Sequence, residues 1–93
     1  MSDDLPSDVV TVLSQLLART RTALAEGDHA TARETITSAE TVATNKVPAG
    51  DRRDALLHGC DRVLALIDAE DGENESDVAA EYVSAMERRL PAE

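Results

Sequence analysis

Residues 25–39 read AEGDHATARETITSA. Gly27 and Asp28 interrupt two segments of helical character, and beyond them Ala32, Ile36 and Ala39 recur at spacings of four and three, along one face of a helix. Glycine enters the left-handed conformation at little cost and so ends helices, while an aspartate side chain accepts hydrogen bonds from the orphan amides that begin one. The stretch therefore predicts a helix, a two-residue reversal, and a second helix folded back on the first.

Outward from this hairpin the helical period recurs, and no alternating run is long enough for a strand. A first helix is expected over about 7–26, with Ser7 as N-cap and Asp8 at its positive end. Its stripe is Val10, Leu13, Leu17, Thr20 and Leu24, widened by Val9 and Leu16. The second, about 29–45, turns Ala32, Ile36, Ala39, Val42 and Ala43 inward. KVPAG at 46–50 is a turn, after which Asp51 is expected to cap a third helix over 51–69, with Asp54 in capping-box position. That helix carries Leu56, Leu57, Cys60, Val63, Leu64 and Ile67 on one side. An acidic loop, EDGENES at 70–76, leads through Ser76 as N-cap to a fourth helix over about 76–90, whose expected inner side is Val78, Tyr82, Ala85, Met86 and Leu90. Short connections make sequential helices antiparallel. The expected fold is all-α, an antiparallel three- to four-helix bundle in a single domain over 1–93, with tails at 1–6 and 91–93. The fourth helix, reached by the most polar connection, is the element expected to move or swap.

Gly27 followed by Ala32, Ile36 and Ala39 at +5, +9 and +12 resembles the second half of a tetratricopeptide repeat, in which small residues let two helices approach and a large one fills the groove between them. Over residues 16–39 the first half departs from that pattern: Thr20 stands where the repeat has a second glycine, and Leu16 where it has an aromatic residue. One repeat length beyond Gly27 falls on Asp61 in mid-helix. The resemblance implies one repeat-like hairpin used once in a bundle. The hairpin also resembles that of small haloarchaeal helical proteins of unassigned function.

Charge bounds the working environment. Asp and Glu number 19 against 9 Lys and Arg, a net charge of -10, and Lys46 is the only lysine beside eight arginines. Acidic residues occupy every segment. This balance resembles that of proteins from salt-in halophilic archaea. In molar salt the Debye length falls to about 3 Å, so surface carboxylates repel each other weakly, and apolar burial is strengthened. The acidity reads as a solvation adaptation. It also excludes nucleic-acid binding, because no basic face exists. The N-terminal MSDDLPSDVV lacks a basic leader, and the longest apolar run, VLALI at 63–67, is five residues, so neither a secretory signal nor a membrane span is expected. The expected location is cytoplasmic.

Tyr82 is the only aromatic residue, and the core must be built from Leu, Val, Ile, Met and Ala. At roughly 25 cal/mol per Å² of apolar burial such a core is nearly offset by chain entropy. A partner is therefore expected, either a second copy or another protein, with Leu13, Leu17, Tyr82 and Met86 as its interface and the lone aromatic as anchor. The competing expectation is that all four belong to the chain's own core.

Signals for chemistry are sparse. Asp54, His58 and Asp61, at spacings of four and three, share one side of the third helix, and histidine with carboxylates binds divalent metals. A bundle metal centre needs Glu-x-x-His on two helices, and none occurs. No metal and no cofactor is therefore expected, with a metal-binding protein or metal-dependent enzyme on Asp54, His58 and Asp61 as the alternative. The acidic stretch at 68–77 lacks alternating oxygen ligands before Gly72, so it is no calcium loop of the EF-hand type. Phosphate loops and nucleophile motifs are absent, and Cys60 reads as a small buried hydrophobe. Arg52 and Arg53 oppose the dipole at the start of the third helix; Asp51 and Asp54 neutralise them, or they meet an acidic partner. The expected function is non-enzymatic: protein–protein interaction or self-assembly.

Overall fold

Four helices make up most of residues 5–69 and 74–90, which the computed structural model describes: α1 (Ser7–Ala25), α2 (His29–Lys46), α3 (Asp51–Ala69) and α4 (Asn74–Arg89). Among the described residues there is no strand. The hairpin at residues 25–39 forms as its residues dictate. Gly27 takes φ +75°, the Gly27 amide donates to the Leu24 carbonyl at 3.1 Å, and the Asp28 amide donates to the Ala23 carbonyl at 2.9 Å. The Asp28 carboxylate then accepts from the Thr31 amide at 3.2 Å and starts α2.

The other helix starts differ from expectation. Pro6, not Ser7, precedes α1, and its carbonyl takes the Val9 and Val10 amides while no side chain caps the helix. Proline's fixed φ suits a helix start, which leaves Ser7 as the first helical residue. Asp51 is likewise already helical, and the Asp54 amide donates to the Gly50 carbonyl at 3.0 Å. Gly50 has φ +153°, a conformation open to glycine, so the turn rather than a capping box sets the start of α3. Helix α4 begins two residues before Ser76, whose side chain lies outside the described residues. So do residues 70–73 of the expected acidic loop and residues 1–4 and 91–93 of the expected tails.

Consecutive helices pack on one another and α4 also contacts α1, whereas the diagonal pairs α1–α3 and α2–α4 make no close approach. Each sequential pair is antiparallel. Thr20 faces Thr35 across α1 and α2, Arg33 pairs with Asp68 across α2 and α3, and Gly59 lies against Met86 across α3 and α4. The result is the expected all-α bundle, closed by the α1–α4 seam, where Arg21 forms a two-pronged ion pair with Glu87 at 3.0 and 3.3 Å.

Leu13, Leu17, Ile36, Leu56, Val63 and Val83 fill the centre, and Ala32, Ala39, Ala43 and Ala79 let the helices approach closely. Among the described residues two polar side chains share that interior, Thr20 and Thr35, joined by a hydroxyl–hydroxyl bond of 2.6 Å. The orientation of α4 corrects the expected one. Ala79, Val83 and Met86 point inward, Val78 is 42% exposed, and Tyr82, Ala85 and Leu90 are only partly covered. The reason lies in α3. Gly59 is buried, and a Cβ there would fall 2.8 Å from Met86 Cγ and closer still to Sδ. A groove at Gly59 receives the Met86 side chain, and Ala79 admits the same close approach one face round from Val78 and Tyr82.

Candidate functional site

Three places were marked by sequence. Asp54, His58 and Asp61 are all exposed along α3, and among the described residues no group of three or more His, Cys, Asp or Glu is gathered closely enough to hold a metal ion. Spacings of four and three bring side chains to one side of a helix, but a centre requires further ligands from a facing helix, and here that side faces water. Cys60 is buried, and desolvation, aided by the nearby Glu40 charge, pushes its thiol up to about 12. Such a thiol carries almost no thiolate at neutral pH and acts as a packing group.

Arg52 and Arg53 have parted roles. Arg52 lines a shallow hollow of about 300 Å³ with Leu5, Val47, Pro48 and Gly50, below the α2–α3 turn. Arg53 is half-buried, and its Nε is shielded from solvent without a hydrogen-bond partner among the described residues. Its aliphatic stem therefore serves packing as well as charge.

The expected interface residues fall on different sides of the surface. Leu13 and Leu17 are each 1% exposed and Met86 is 3% exposed, all within the chain's own core, so this arrangement leaves them no surface to offer a second chain. Tyr82 stands apart. It is partly covered and lies on the outer side of α4 with Val78, Glu81, Ser84, Ala85 and Arg88, bordering an open concavity of about 660 Å³. Val78 and Val12 are the large apolar side chains left exposed among the described residues. The turn of α4 that buries Ala79 and Val83 is what brings Val78 and Tyr82 outward. The signal that could have revealed this is Gly59: a glycine in mid-helix costs about 1 kcal/mol relative to alanine, and implies a close neighbour.

Chemically, the α4 surface offers an apolar strip edged by a carboxylate at Glu81 and guanidinium groups at Arg88 and Arg89. The model of a domain of unknown function, DUF8101, matches residues 1–92. The chain belongs to the DUF8101 family. Comparison with curated proteins and with solved structures finds no match. For DUF8101 the fold described here is thus a four-helix bundle, and no helix among the described residues is long and apolar enough to cross a membrane.

Proposed function

We propose that the chain is a non-enzymatic helical module that assembles with itself in the molar-salt cytoplasm of a halophilic archaeon. The observation that carries this reading is the outer face of α4. It exposes Val78 and bears the only aromatic residue, on a chain with 19 acidic residues. Exposed apolar strips on an acidic surface are sites of association, and high salt strengthens them while it screens the repulsion of two chains that each carry a charge of -10. The single tetratricopeptide-like hairpin then serves as scaffold, since Ala32, Ile36 and Ala39 are consumed by packing inside the chain.

The test is capture of the tagged chain in molar KCl, with native mass and metal content recorded. Recovery as an integral multimer of this chain supports the reading. A stoichiometric foreign protein would replace self-assembly with an adaptor role. Bound metal that is lost in Asp54→Ala and His58→Ala variants would overturn the reading in favour of metal chemistry.

A further inference from the structure

We propose that two copies join through α4 in an antiparallel pair whose two-fold axis passes at Ala85, a surface assignment that rests on the self-assembly reading above. The argument is one of self-complementarity. A two-fold contact between antiparallel helices sets residues opposite one another so that their numbers sum to a constant, and the same flank of each helix meets itself. With Ala85 opposite its own copy, that sum is about 170. Glu81 of one chain then falls beside Arg88 of the other on one flank, and Tyr82 falls beside Arg89 on the opposite flank.

Each element of this pairing is on the α4 surface. Glu81 and Arg88 are exposed, lie on the same side of the helix two turns apart, and have no ion-pair partner among the described residues. By contrast, Glu87, on a different side of the same helix, is already held by Arg21. Carboxylate and guanidinium two turns apart cannot reach each other within one chain, but reversed against a copy they form two equivalent pairs. Between them sits Ala85, small enough for close approach of two backbones. Tyr82 presents a ring to the Arg89 guanidinium, a contact of cation–π type. Val78 extends the apolar strip toward the start of α4. In molar salt, where the Debye length is about 3 Å, a pair in direct contact is weakened but keeps more of its attraction than charges farther apart.

The experiment is sedimentation equilibrium of the full chain in molar KCl, with far-UV circular dichroism to establish that each variant is folded. Glu81→Arg and Arg88→Glu, both at exposed positions, each place like charges opposite one another twice per dimer. Each is expected to weaken dimerisation by about tenfold, equivalent to about 1.4 kcal/mol. The double variant Glu81→Arg/Arg88→Glu restores both pairs in swapped form and returns the dissociation constant to near its parent value. Independently, Ala85→Cys gives a disulfide-linked dimer on mild oxidation and Ser38→Cys, on the exposed side of α2, does not. A dimer unaffected by these charge changes, and not linked through position 85, overturns this surface and leaves self-assembly standing. A chain that stays monomeric at every concentration overturns both.

Discussion

Helices α1 and α2 meet at a pair of hydroxyls, and replacing one of them has a calculable cost. Thr20 Oγ1 lies 2.6 Å from Thr35 Oγ1 and 2.8 Å from the Leu16 carbonyl, and Thr35 Oγ1 lies 3.1 Å from both the Thr31 and Ala32 carbonyls. With one hydrogen on each hydroxyl, one donates to a carbonyl of its own helix and the other bridges the helices. Thr20→Val keeps the β-branched shape but puts a methyl group against the Thr35 oxygen, where a carbon needs roughly 3.3 Å or more. Loss of the bridge costs about 1 kcal/mol and crowding about 1 kcal/mol, while burying a methyl in place of a hydroxyl returns about 0.8 kcal/mol. The net destabilisation is about 1 kcal/mol. In a Thr35→Ala background there is no oxygen to crowd, and the Thr20 hydroxyl holds only the Leu16 carbonyl, so the same change trades that bond, about 1 kcal/mol, for a buried methyl worth about 0.8 kcal/mol and comes out near zero. The coupling between the two positions is therefore about 1 kcal/mol. Urea unfolding in molar KCl, followed by circular dichroism at constant slope, measures it. Equal costs for Thr20→Val in the two backgrounds would refute the reasoning.

Gly59→Ala gains about 1 kcal/mol of helix propensity but crowds Met86 Cγ and Sδ at a cost of about 2 kcal/mol, so thermal unfolding should show a net loss of about 1 kcal/mol. In a Met86→Ala background the sign should reverse, and a stabilising Gly59→Ala in the parent chain would contradict the close packing described. Hydrogen bonds from Thr31, hydroxyl first and backbone amide second, hold the Asp28 carboxylate below its ordinary value of 3.8. Its stabilisation is thus complete above 3.8 and is lost as pH falls through the lowered value in the folded chain. Asp28→Ala should lower stability at neutral pH, with the difference from the parent narrowing in acid; a difference constant with pH would count against the cap.

The helices and their order were legible because the 3.6-residue period recurs in each of the four segments, and because Gly27, Asp28 and Pro48 punctuate the chain with definite backbone consequences. The core faces of the first three helices follow from the same stripes: Leu13, Leu17, Ile36, Leu56 and Val63 are all buried. Helix α4 was not legible in the same way. Its apolar residues run around more than half of its circumference, Val78, Ala79, Ala80, Tyr82, Val83, Ala85 and Met86, so their spacing leaves two faces open unless the charges of Asp77, Glu81 and Arg88, opposite Ala79, Val83 and Met86, are counted as well. Side-chain size favoured Val78 and Tyr82, but the partner helix presented a glycine groove, and closeness of approach favoured the smaller Ala79 with Val83. Of the site, Tyr82 is expected both on the inner side of α4 and at an interface, and the structure leaves it partly covered on the outer side. Leu13, Leu17 and Met86 went inward because, in a chain with no Phe or Trp, the bundle needs every large aliphatic residue it can enclose.

The Thr20–Thr35 pair also fixes alignment. Ala32, Ala39 and Ala43 present α1 with nearly identical small surfaces at successive turns, and Ile36 is the single fully buried bulky residue α2 contributes among them. Sliding α2 by one turn would put an alanine in the place of Ile36 and crowd Ile36 into the place of an alanine, at a cost of a few kcal/mol. It would also break the hydroxyl bridge, at about 1 kcal/mol, each hydroxyl falling back on a carbonyl of its own helix. The hydroxyl pair thus reinforces the register that Ile36 sets, and together they fix where the turn at Gly27 must fall.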